Sequence, residues 1–229
     1  MAIDTRTAAR SETWAAASAL RSAIGATLAL AGYVLLPTFR AIVIAFLGGG
    51  DDTGYPRPAD IPQNEWWGIS GAIIFAVIGI GILLVATGVP GGPLTRTLGT
   101  IGGAGFLLCA GSVRGMWSFI SANLTETGAD VGAQTAAFWA VNIVGGGLLV
   151  AAGCTTAGWL LLLGLRGPRE RTVGRAAGVA LAIGAALIIV GELGPVILAA
   201  QFVFVLIFAI LTVSFWRRAR RMRQTSADA

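Results

Sequence analysis

The sequence predicts an all-α, polytopic integral membrane protein of six transmembrane helices with both termini in the cytoplasm. Three observations lead there. Of 229 residues, 55% are apolar and only 12% are charged, with a mean hydropathy of +0.79. A soluble chain of this size shows water a large surface, and too little polar material exists here to cover it. The apolar residues gather into stretches of about 20 or more, the length that carries a helix across ~30 Å of hydrocarbon. Finally, the segments between these stretches alternate in charge.

The first apolar stretch is 23–47. Arg6, Arg10 and Arg21 precede it, a start shared with secretory signals, but no small-x-small cleavage site follows Leu47. It is therefore read as a retained span, with residues 1–22 as a cytoplasmic segment. Within that segment, 11–22 form a short interfacial helix capped by Ser11 and anchored by Trp14. Residues 48–66 are rich in Gly, Pro and Asp and form an outer loop before the second span, 67–89. Pro90 and Pro93 mark a short inner turn before the third, 98–120. A polar, acidic outer loop at 121–135 then leads to the fourth, 136–165. That stretch exceeds a straight crossing and is expected to tilt or protrude, with Gly145-Gly146-Gly147 a candidate kink. A turn at 166–171 precedes the fifth span, 172–191. Glu192-Leu193-Gly194-Pro195 then turns tightly into the sixth, 195–216, which is followed by a basic cytoplasmic tail, 217–229.

Charge orients this series. Arg6, Arg10, Arg21, Arg96, Arg166, Arg169, Arg171, Arg175, Arg217, Arg218, Arg220, Arg221 and Arg223 fall on one side. Only Arg57 falls on the other, among Asp51, Asp52, Asp60, Glu65, Glu126 and Asp130. The positive-inside rule assigns the arginine-rich side to the cytoplasm of a cell (inner) membrane. Trp66, Trp67, Trp117 and Trp139 are expected at the outer interface and Trp159 and Trp216 at the inner one. Arginine without any lysine, amid abundant Ala and Gly, is the coding habit of a GC-rich bacterial genome.

Composition also limits chemistry. With no His and only Cys109 and Cys154 as thiols, His-ligated metals, Ser-His or Cys-His pairs and four-thiolate metal sites are excluded. No cofactor, metal or enzyme activity is expected. The sequence pI of about 10.5 reflects topology, and no aromatic residues interleave Arg217–Arg223 as a nucleic-acid reader requires. The expected partners are the lipid bilayer and either another membrane protein or further copies of this chain.

Two sets of residues are singled out. Gly99 and Gly103, Gly111 and Gly115, and Gly174 and Gly178 are spaced for close helix packing. Arg40, Arg114, Asn142, Glu192 and Gln201, counted from the ends of their own spans, fall in the outer third of the membrane. If they converge, they line an outward-facing polar pocket biased toward anionic or carboxylate ligands. If not, the arginines snorkel, Glu192 sits in a solvated turn, and Asn142 and Gln201 bridge helices. Asn123-Leu124-Thr125 matches a glycosylation sequon. Two functions fit: an accessory or assembly subunit of a larger membrane complex, which the Gly-rich helices and lack of reactive groups favour, or a small transporter or channel.

Overall fold

A computed structural model of the chain describes residues 5–46, 65–119, 128, 130–193 and 197–227, and these form helices and turns with no strand. The helices are α1 (Thr5–Phe46), α2 (Glu65–Gly88), α3 (Pro93–Phe119), α4 (Val131–Arg166), α5 (Arg175–Leu193) and α6 (Ile197–Ala227). Most of the loop at 48–66, the sequon and the Gly194–Pro195 turn lie outside the described residues. Among the described residues, five helices are long and apolar enough to cross a membrane, over Trp14–Phe39, Gly68–Gly88, Ile143–Arg166, Arg175–Leu193 and Ala199–Gln224. Repeated glycines, together with Arg96 and Arg114, dilute the apolar character of α3 below that mark.

Several boundaries differ from the sequence reading. The separate helix expected at 11–22 is part of α1, which runs unbroken through Ser11 because the Ala-rich stretch after it contains no helix breaker. The fourth helix begins at Val131, capped by Asp130, whose carboxylate accepts the Ala133 amide at 2.7 Å. The fifth begins at Arg175 rather than 172. Arg171 takes the left-handed conformation (φ 55°), and the Thr172 amide and hydroxyl both donate to the Gly167 carbonyl, which delays the helix. The basic tail is the helical continuation of α6.

The helices close into a ring in chain order, with α6 packed back against α1. Neighbours run antiparallel, as Gly25 beside Leu84 and Gly32 beside Ile78 show for α1 and α2. Three interfaces are built on reciprocal glycine pairs. A Cβ added to Gly25 would meet the Gly81 carbonyl oxygen at 2.6 Å, and one on Gly81 would meet that of Gly25 at 2.6 Å. Gly79 and Gly103 join α2 to α3 in the same way, at 2.7 and 2.9 Å, and Gly164 and Gly178 join α4 to α5, at 2.7 Å each way. Backbone meets backbone here, so Cα–H groups lie against carbonyls of the next helix. At the α6–α1 seam an indole serves instead: Trp216 Nε1 donates to Thr27 Oγ1 at 3.1 Å.

The expected packing glycines therefore divide. Gly99 lies against Ala86 and Trp159, and Gly103 and Gly178 belong to reciprocal pairs. Gly111, Gly115 and Gly174 meet no described atom within 4 Å, so the same spacing on α3 faces a neighbour at one end and open space at the other. Gly103→Ala is expected to lower the melting temperature of the detergent-solubilised protein by several degrees, on the scale of about 1–3 kcal/mol for overpacking. Gly111→Ala should leave it unchanged or raise it slightly, because alanine is the better helix former. Trp159 is also corrected. It is 1% exposed and buried against Gly99 inside the ring, because that glycine leaves room for an indole.

Candidate functional site: a buried polar level inside the ring

Glu192 is the penultimate residue of α5, yet it is only 7% exposed. It does not belong to a solvated turn. Gly191 packs against Ala200, where an added Cβ would lie 2.9 Å from the alanine methyl, so α5 and α6 are in close contact at this level. Glu192 packs against α4. Its carboxyl covers Gly153, where a Cβ would stand 2.9 Å from both Cδ and Oε1.

Gln201 follows Ala200 on α6 and is 8% exposed. One turn further along, Phe204 stacks on Tyr33 of α1 with ring centroids 4.5 Å apart and planes 9° apart. Residues i and i+3 share a helix face, so Gln201 and Phe204 present the same side of α6. Phe106 of α3 meets Tyr33 edge-on at 5.9 Å. Glu192 is within electrostatic range of Tyr33 and of Cys154 on α4. Tyr33, Phe106, Gly153, Glu192 and Gln201 thus define one level of the ring, drawn from five helices.

That level holds uncompensated polar groups. The Tyr33 hydroxyl, Glu192 Oε2 and Gln201 Oε1 are buried with no hydrogen-bond partner among the described residues. A buried orphan of this kind costs on the order of 1–3 kcal/mol, and a charged one more. Membrane interiors tolerate such residues chiefly where they bind or conduct something. Thr156 Oγ1, one turn from Gly153 and against Gly102, is likewise buried and unpartnered. Cys109 is buried and Cys154 half-buried, both as free thiols. Among the described residues, no group of three or more His, Cys, Asp or Glu side chains comes together.

The five polar residues named from the sequence do not share this level. Glu192 and Gln201 lie on it. Arg114 lies eight residues beyond Phe106 on α3, about 12 Å further along the axis at 1.5 Å per residue. It is half-buried, with Nη1 enclosed and without a hydrogen-bond partner among the described residues. By the same rise, the Arg40 backbone is about 10 Å beyond Tyr33, and that of Asn142 about 16 Å beyond Gly153. The side chains of these two fall outside the described residues.

Depth counted from the end of each span misleads because the helices end at different heights. Beyond the Glu192 level, α1 runs on about 20 Å to Phe46, α3 about 20 Å to Phe119 and α4 about 33 Å to Val131. On that side α5 stops at Leu193 and α6 begins at Ile197, almost level with Glu192. Among the described residues the ring therefore loses two of its six walls above Glu192 and Gln201, leaving a recess with those two at its floor. The segments joining helices at this end, 47–64 and 120–130, carry Asp51, Asp52, Asp60, Glu126 and Asp130 against one Arg57. It is the acidic end of the bundle.

Tyr33 and Thr156 were not singled out from sequence. One signal for Tyr33 was present: a tyrosine in mid-span rather than in an interfacial belt must find a use for its hydroxyl. No protein-family model, curated protein or solved structure matches this chain, so its function has to be read from its own residues.

Proposed function

We propose that this chain is a non-enzymatic protein of the cell (inner) membrane that crosses it six times, with both termini cytoplasmic, and moves a small polar solute or ion through the Tyr33–Glu192–Gln201 level. One observation carries the proposal. Glu192 is buried inside the ring with Oε2 unpartnered, instead of lying on the perimeter where a neighbouring subunit would meet it. The perimeter itself is apolar, with Ile143, Val190 and Leu206 each more than 60% exposed, as lipid contact favours. That α3 is the sixth span is supported by its place between α2 and α4, and by Gly99, Gly102, Gly103 and Gly105, which serve contact with those helices rather than with lipid. The arginine-rich segments at the opposite end of the bundle support the cytoplasmic assignment of the termini.

The accessory-subunit reading has its own support. Gly111, Gly115, Gly146 and Gly147 are open on the halves of α3 and α4 nearer the acidic end of the bundle, where a partner helix could approach closely. Two measurements separate the readings. Solute flux into liposomes carrying the wild type, with loss in folded Glu192→Gln, is the transporter result. Recovery from native membranes at a fixed ratio with a second protein, lost in Gly111→Leu and indifferent to Glu192→Gln, would replace transport with the accessory role.

A further inference from the structure

We propose that Glu192, Gln201 and Tyr33 form a binding site for a small alkali-metal cation, of the size of sodium or lithium, at the floor of the recess. This rests on the transport reading above and names its substrate or coupling ion. It also reverses the sign expected from the sequence, where two arginines weighed toward anions.

Charge is the first argument. Among the described residues, the titratable and charged groups around the level are Tyr33 on α1, Cys109 and Arg114 on α3, Cys154 on α4 and Glu192 on α5, and Glu192 is the one acid among them. Arg114 starts about 12 Å further toward the acidic end, and among the described residues no arginine partners Glu192 Oε2. An anion at the floor would therefore face an uncompensated carboxylate. A monovalent cation balances that single charge, whereas a divalent ion would leave a net positive charge in a low-dielectric interior.

Donor chemistry is the second. Every orphaned atom on the level is an oxygen: a carboxylate, an amide carbonyl and a phenol, contributed by three helices. Hard oxygen donors suit hard cations. A proton on Glu192 would also neutralise the charge, and with the Tyr33 hydroxyl as a second donor it could serve the carboxyl and amide oxygens, so the test below has to separate proton from metal ion. A metal ion coordinates all the orphaned oxygens of the level. Access is the third argument, since the recess lies at the end of the bundle whose connecting segments carry five acids against one arginine in sequence, a charge balance that favours cations.

The test is thermal unfolding of the purified full-length protein in mild detergent at fixed pH and ionic strength. Lithium, sodium, potassium and N-methylglucamine chlorides are compared. Sodium or lithium is expected to give a saturable rise of several degrees over N-methylglucamine. Glu192→Gln should abolish that rise, and Tyr33→Phe and Gln201→Leu should weaken the apparent affinity roughly tenfold, the scale of one lost charge–dipole contact. Should Glu192→Gln fail to fold, Tyr33→Phe, which removes only a hydroxyl, carries the test. Identical melting in all four cations overturns the proposal. If an anion series then stabilises saturably, the transport site survives with its sign reversed. If acid alone stabilises, and Glu192→Gln loses the effect, the site belongs to the proton and the metal-ion proposal falls. No response to any of these overturns the site reading as well.

Discussion

Glu192→Leu is expected to leave the protein folded and at least as stable as the wild type when both are melted in N-methylglucamine chloride, while abolishing flux and ion-dependent stabilisation. The carboxyl is buried against Gly153 and Oε2 has no partner, so its removal breaks no hydrogen bond at that atom and relieves the cost of enclosing it. Replacing buried charged groups by apolar ones of similar volume is often neutral or stabilising by about 1–4 kcal/mol. Residues kept for folding behave in the opposite way. A Leu variant that melts several degrees below wild type would make Glu192 a structural group and remove the reason for placing function on this level. Gly153→Ala gives an independent check. The added methyl meets the far end of the Glu192 side chain rather than a backbone, so the fold should tolerate it while the carboxyl is displaced and the ion response weakens.

Gly81→Ala is expected to do the reverse, lowering stability by about 1–3 kcal/mol or preventing assembly of the ring. Its methyl would meet the Ala29 backbone nitrogen at 2.5 Å and the Gly25 carbonyl oxygen at 2.6 Å, and neither can move without shifting α1. A melt in detergent, read beside Gly153→Ala, checks it. The two substitutions add the same atom at the same kind of helix contact and differ only in what it strikes. Equal effects in the two variants would mean that the α1–α2 contact is looser than the backbone geometry requires.

The stability of Tyr33→Phe follows from the same reasoning. Without an alkali cation, loss of an unpartnered hydroxyl should be neutral or slightly stabilising, because the stack on Phe204 depends on the ring alone.

The all-α character of the chain was legible in the sequence because it is a local property. A run of apolar residues with no backbone partner outside itself must satisfy its own amides, and a helix is how it does so. The burial of Gln201 was not legible, because a lone amide on an apolar helix reads equally as a bridge or as a ligand. The roles of the glycines were half legible. Spacing marked Gly99, Gly103 and Gly178, but it marked Gly111, Gly115 and Gly174 alike, since periodicity names a face without saying what stands opposite. The position of Trp159 along the chain suggests an interfacial anchor, because it says nothing of the cleft that Gly99 opens beside it.

The sequence by itself determined roughly where the long apolar helices run, which positions hold small residues, and that the two ends of the bundle carry opposite charge. Only the tertiary structure decided the relative heights of the helices, and with them which polar residues meet. Glu192 lies one residue from the end of α5 and Arg114 five from the end of α3, yet about 12 Å separates their levels. Helix length is set by local composition, but the height at which each helix stands is set by packing against its neighbours. Here that packing is glycine on glycine at three interfaces, a contact between residues far apart in the chain.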